Sequence, residues 1–105
     1  MAIKYKVKIS VEVNRDLNDI FTYITDNLHS QQTAFNLMRE IQDKILSLGE
    51  MPERFGFSLE PIFSEKGYRK VTVKKYVILY KIDEKNKIVN VSRVFHERMN
   101  YSKYI

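Results

Sequence analysis

Cysteine is absent from this chain, which rules out disulfides and any thiolate metal site. Such a composition suits a reducing compartment. Only three glycines occur, too few for a glycine-rich phosphate cradle, and there is no phosphate loop, nucleophile elbow or zinc motif. Two histidines far apart in sequence, with no facing carboxylate pair, make no metal site. No cofactor is expected. No apolar run approaches the ~20 residues of a membrane span. The opening MAIKYKVKIS is strand-like, without the continuous apolar core of a signal peptide. The expected location is cytoplasmic, away from any membrane.

What remains is a chain of 105 residues, 44% hydrophobic, enough for one folded domain over 1–105. Its net charge of +5 is unevenly placed. Residues 1–52 hold six Lys/Arg against seven Asp/Glu, while residues 53–105 hold twelve against six. A basic C-terminal half points to a polyanionic partner, either nucleic acid or an acidic protein. Lysines that keep a small protein soluble and blunt its edge strands are the plainer explanation.

Ile3 to Ser10 alternates apolar with lysine, a period-two edge strand with one buried face. Helical spacing follows, with Asn14 expected as N-cap and Asp16 in the first turn. Leu17, Ile20, Phe21, Ile24 and Leu28 form one stripe. Ser30 is expected to cap a second helix carrying Ala34, Leu37, Met38, Ile41, Ile45 and Leu48. Gly49 then offers a left-handed stop, with Pro52 just beyond. The short connection makes an antiparallel helical hairpin whose stripe covers a sheet. Met51 to Lys66 has no clear period, and Phe55, Phe57 and Phe63 are the residues available to pack it.

Gly67 to Arg98 reads as three consecutive antiparallel strands. A two-residue turn at Lys74-Lys75 and a three-residue turn at Glu84 to Asn86 place Val71, Val73, Ile78 and Tyr80 toward the helices. Lys70, Thr72, Val77, Leu79, Lys81 and Arg93 then line the opposite face. A one-residue slip in the second turn exchanges Arg93 to the helix side. The order β–α–α–β–β–β, with helices on one face of an antiparallel-dominated sheet, defines an α+β fold.

His29 sits at the turn between the helices, where an exposed or capping role is expected. His96 closes the last strand near Arg93, Glu97, Arg98 and Tyr101. A histidine there can serve as general acid or base beside arginines that neutralise phosphate charge. It can equally be a strand-end histidine that hydrogen-bonds locally. Tyr76, Tyr80, Tyr101 and Tyr104 are available for stacking on bases, or for core and edge packing.

Four segments in order carry a resemblance: DLNDIFTYI; AFNLMREIQDKILSL followed by MPERFG; GYRKVTVKKYVILYKI; and VSRVFHERMNY. Together they span nearly the whole chain, which resembles the RelE/ParE superfamily, the toxins of bacterial type II toxin–antitoxin (plasmid-stabilisation) systems. The resemblance implies the same β–α–α–β–β–β layout and an antitoxin partner, expected to be short and acidic. It implies one of two targets. RelE-like members cleave mRNA in the ribosomal A site without metal. ParE-like members poison DNA gyrase.

On the RNase branch the resemblance assigns catalysis to His96, Arg93, Glu60 (in LEPI) and Arg69. Contacts to nucleic acid or target are expected from Lys70, Lys74, Lys75, Lys81, Arg98 and Tyr101. Two departures favour the ParE branch. Val77 stands where those RNases carry an arginine, which removes a charge-stabilising donor. His96 also lies one residue further from Arg93 than their terminal histidine does from its arginine. The ending VFHERMNY is similar to the ParE pattern, and Arg69 matches both branches. A relative that has kept only antitoxin binding is the third alternative.

Overall fold

The computed structural model describes residues 4–59 and 61–99, and of Ile62 the backbone alone. Ile3, Glu60, Tyr101 and Tyr104, all named above, lie outside the described residues. Strand β1 (Lys6–Ile9) leads into helices α1 (Val11–Leu28) and α2 (Gln31–Ser47). A 3-10 turn (Pro52–Arg54) and a one-turn helix α3 (Pro61–Ser64) interrupt the connection to β2 (Arg69–Val73), β3 (Tyr76–Asp83) and β4 (Ile88–His96). The sheet order is β1-β4-β3-β2. The three C-terminal strands are antiparallel, and β1 is an edge strand parallel to β4. No described helix is long and apolar enough to cross a membrane.

The start of α1 differs from the expectation at Asn14. Ser10 is the N-cap: its Oγ accepts from the Val13 backbone N–H at 3.1 Å and donates to the Ser92 carbonyl at 2.9 Å. The helix thus begins several residues earlier, Val13 is fully buried, and Asp16 falls in the second turn rather than the first. Capping by Ser10 wins because it also ties the helix to β4, whereas Asn14 has no orphan N–H to satisfy inside the helix. Ser30 caps α2 as expected, its Oγ accepting from Thr33 N–H at 3.1 Å. The stripes of α1 and α2 pack on Val71, Val73, Ile78, Tyr80, Val89, Val91 and Val94. Phe21 and Phe35 meet edge-on at 5.1 Å across the hairpin. Leu28 is left exposed beside the left-handed cap His29.

Gly49 is needed for closeness, not handedness. Among the described glycines only Gly67 has positive φ, whereas a Cβ on Gly49 would lie 2.9 Å from the Tyr5 carbonyl. Tyr5 N–H donates to the Gly49 carbonyl at 2.7 Å, pinning the end of α2 to the chain entering β1.

The hairpin at Lys74-Lys75 has the expected register, Val73 opposite Tyr76. The second turn is longer than expected. Asp83 pairs with Ile88, leaving four residues between them, and the Asp83 carboxylate accepts from Asn86 N–H and Nδ2. That slip alone would turn Arg93 toward the helices. A bulge reverses it: Tyr80 pairs with Val91 but Leu79 pairs with Arg93, so Ser92 is the extra residue. Arg93 therefore returns to the face opposite the helices.

Candidate functional site

The face opposite the helices carries Lys70, Lys81 and Arg93, three of the residues singled out in the sequence, and its geometry follows from the register. One row across three strands reads Lys70, Leu79, Arg93; the next reads Thr72, Val77, Phe95. A third runs from Lys81 through Asn90 to Lys8. The face is not open at its centre. Phe63, carried by α3, is fully buried on Val77, Leu79 and Phe95, with Tyr68 packed at the margin. The Phe63 ring lies 6.0 Å from that of Tyr68 and 6.3 Å from that of Phe95. The unpatterned stretch after α2 thus supplies a lid of apolar side chain, because Val77 and Leu79 need covering as much as the helix-side residues do. Val77 is 2% exposed.

The cations lie around this apolar centre. Lys81 holds its ammonium 4.5 Å from the centroid of the Tyr68 ring. The Lys70 side chain is half-buried in the row beside Leu79. Arg93 points to the edge of β4 instead of across the face. Because β1 ends at Ile9, opposite Val91, the outer edge of β4 beyond that point has no strand beside it among the described residues. Asp16 of α1 fills the gap. It accepts from Arg93 Nε at 2.8 Å and Nη2 at 2.7 Å, and from the Val94 backbone N–H at 3.0 Å. Asp16 is 8% exposed and Arg93 23%. The sequence held one signal for this pair: Asp16 interrupts the apolar stripe that Val13, Leu17 and Ile20 define, and a carboxylate on a buried stripe needs a partner.

The other candidates lie elsewhere. Beyond the bulge, alternation along β4 puts Phe95 with Arg93 and puts His96 on the helix side, opposite Tyr76. The His96 and Tyr76 rings meet edge-on at 5.2 Å. Nδ1 of His96 accepts from the Arg98 backbone N–H at 3.1 Å, so the neutral ring carries its proton on Nε2. Burial, and secondarily Tyr23, push the Tyr76 phenol above its ordinary range. Arg69 also belongs to the helix side, paired with Tyr80. Its Nη1 donates to the Phe55 carbonyl at 2.7 Å, and its guanidinium carbon sits 4.2 Å from the centre of the Phe57 ring. Beside it the buried Tyr80 hydroxyl donates to the Pro52 carbonyl at 2.6 Å. On the RNase branch the resemblance assigns Arg69, Arg93 and His96 to one catalytic site. They do not share a face, because His96 is an odd number of residues from Arg93 along a pleated strand.

Lys74 occupies the β2–β3 turn with φ 54° and pairs with Glu40 of α2 at 3.5 Å. The Lys75 carbonyl accepts from Glu97 N–H at 2.8 Å, and Arg98 is exposed. Among the described residues no three His, Cys, Asp or Glu side chains cluster closely enough to hold a metal ion.

Known proteins place this arrangement. A chain from the chromosomal ParDE toxin–antitoxin system of P. aeruginosa is 14% identical, with a TM-score of 0.73 over 89% of this chain and 96% of that one. A chain of the RelBE2 toxin–antitoxin complex of Mycobacterium tuberculosis is 22% identical, with a TM-score of 0.61 over 90% and 92%. A mutant of the E. coli toxin RelE in the free state is 12% identical, with a TM-score of 0.66 over 96% and 94%. At these identities the likeness establishes the fold. No curated protein matches the chain by sequence. The family model described as the ParE toxin of the type II toxin–antitoxin system parDE, however, matches residues 7–101. With a RelE/ParE fold and a match over almost its whole length, this chain belongs to the ParE toxin family of type II toxin–antitoxin systems.

Proposed function

We propose that the protein arrests growth by binding DNA gyrase, without chemistry of its own, and that a cognate antitoxin neutralises it in the cytoplasm. The observation that carries this reading is the burial of Val77. At the position where the RNase relatives carry an arginine, this chain has an isopropyl group sealed under Phe63. A guanidinium could reach a scissile phosphate from there only if Phe63 were displaced. The neighbouring arginine, Arg93, is held by Asp16, and His96 lies on the other side of the sheet. Acid–base and charge-stabilising groups spread in this way do not converge on one reacting atom.

Ribosome-dependent cleavage of mRNA is the second reading. It is favoured by the cationic border formed by Lys8, Lys70 and Lys81 on the same face. One experiment separates the two: purified protein is titrated into a gyrase supercoiling reaction and, in parallel, into a translating extract whose mRNA ends are mapped. Loss of supercoiling with intact mRNA is the expected result. Cleaved mRNA with unaffected supercoiling would reverse the assignment.

A further inference from the structure

The segment between α2 and β2 leaves large apolar side chains in water. Phe57 is 54% exposed, and Met51 and Leu59 more so. Yet Phe57 is held in place. The Gly56 carbonyl accepts from Lys70 N–H at 3.2 Å, and Ser58 N–H donates to the Tyr68 carbonyl at 3.0 Å. Phe57 thereby sits opposite Arg69 as a short antiparallel rung on the edge of β2. The carbonyls before it are tied down as well, Pro52 by Tyr80 and Phe55 by Arg69. The Arg69 guanidinium lies against one face of the Phe57 ring, which leaves the rest of the ring to solvent.

Three cations border these aromatics. Arg54 holds its guanidinium carbon 4.8 Å from the centre of the Phe55 ring, and Lys44 of α2 brings its ammonium to 5.8 Å from the same ring. Both guanidinium groups reach the Tyr80 phenol and oppose the rise that burial causes there, so they stand at one end of the molecule. Arg54 Nη2 donates to the Ser47 carbonyl and hydroxyl, and Arg69 Nη1 to the Phe55 and Glu53 carbonyls. All of these acceptors are neutral. Among the described residues, Lys44, Arg54 and Arg69 form no salt bridge. The remaining nitrogens of each guanidinium are donors suited to a carboxylate. The patch is apolar at its centre, positive around it, and rigid before any partner arrives.

We propose that Phe57, bordered by Arg54, Arg69 and Lys44, is the surface through which this toxin holds its target, and that the target offers there an acidic protein surface with an apolar side chain at its centre. A fixed aromatic ring beside arginines is the composition on which binding energy concentrates in protein interfaces. Unpaired cations favour a partner bearing carboxylates and oppose a second copy of the same patch. Met51 and Leu59 add aliphatic surface in the same segment, which suits a protein side chain better than a phosphate backbone. Naming gyrase as that target rests on the functional reading above. That the patch meets the target does not.

The parent, Phe57→Ala, Lys44→Glu and Arg54→Glu are each induced in cells and, once purified, titrated into a gyrase supercoiling reaction. Melting temperatures show which variants fold. Phe57→Ala and Lys44→Glu remove no side-chain hydrogen bond among the described residues, so the comparison survives if Arg54→Glu, which loses Ser47, does not fold. The concentration that halves supercoiling should rise roughly tenfold or more in the folded variants. Added salt should weaken the parent more steeply than Lys44→Glu. Growth arrest should weaken in parallel. Unchanged potency and growth arrest in the folded variants would overturn the proposal. So would binding of the parent to a DNA duplex or to single-stranded RNA that the same substitutions abolish, since the patch would then belong to nucleic acid. If the parent arrests growth but leaves supercoiling untouched, the functional reading falls and the growth of the variants alone decides the proposal. A parent that arrests no growth would overturn both.

Discussion

Arg93 and Asp16, one near each end of the chain, are joined by two short hydrogen bonds that make a bidentate ion pair, and the same carboxylate receives the Val94 backbone N–H. A single side chain thus closes the edge of β4 where β1 stops and ties α1 to it. Removing it takes the same carboxylate from the Arg93 guanidinium and from the Val94 amide. Asp16→Ala should cost about 3 kcal/mol, the lower end of what breaking a buried pair costs. Asp16→Asn keeps an acceptor for Val94 and should cost about half as much. Urea unfolding of the two variants and of Arg93→Ala, combined as a double-mutant cycle, gives the coupling directly. A coupling near zero would contradict the geometry.

Phe63 is the only fully buried phenylalanine among the described residues, and it seals the second face. Phe63→Ala should destabilise the protein by about 3–5 kcal/mol. It should also expose Val77, Leu79 and Phe95, seen as binding of an apolar dye at temperatures below unfolding. A variant that unfolds late and binds no dye would mean that the sheet face is not closed by this ring.

Tyr80 gives the fold an alkaline limit. Burial pushes its phenol up to about 12 from an ordinary value of 10.0. The folded state therefore holds the proton more tightly than the unfolded chain does. The stabilisation is complete below pH 10 and is lost as pH rises through the folded value near 12, at up to about 1.4 kcal/mol per pH unit. Stability measured from pH 9 to 12 should fall more steeply for the parent than for Tyr80→Phe, which lacks the group. The same variant should lose about 1 kcal/mol at neutral pH, because the Pro52 carbonyl keeps no donor.

Arg69 holds the stretch after α2 through the Phe55 carbonyl and the Phe57 ring. Lysine reproduces the charge but neither the planar fork nor the stacking. Arg69→Lys should therefore resemble Arg69→Ala, with about 1–2 kcal/mol lost. Limited proteolysis should then cut between Met51 and Leu59 faster than it does in the parent. Full rescue by lysine would show that charge alone is at work.

Much of this architecture was legible in the residue pattern, and the misreadings have physical causes. The helical stripes and the Lys74-Lys75 turn were readable because periodicity and turn length are local. Ser10 and Asn14 are both competent caps; what separates them is the contact of Ser10 with Ser92, which no local pattern reports. Gly49 was read as a left-handed stop, yet it is required by the approach of the Tyr5 carbonyl. Arg93 was placed on the correct face through two cancelling errors, a turn one residue longer than expected and an unseen bulge at Ser92. The candidate site suffered most from this. Alternation predicts which side of a strand a residue leaves from, but not that Asp16 waits at the edge or that Phe63 covers the middle.

The parallel pairing of β1 with β4 also governs when the molecule can exist during its own synthesis. The helical hairpin forms from neighbouring residues, but β1 has no strand to join until Ile88–Val91 have been made, and Asp16 has no guanidinium until Arg93 follows. Closing loops of that length comes late and all at once. A nascent chain therefore displays its helices while the complete sheet and its apolar lid are still missing. The cell meets the finished toxin only as the last strand emerges, by which time a partner already present can be waiting for it.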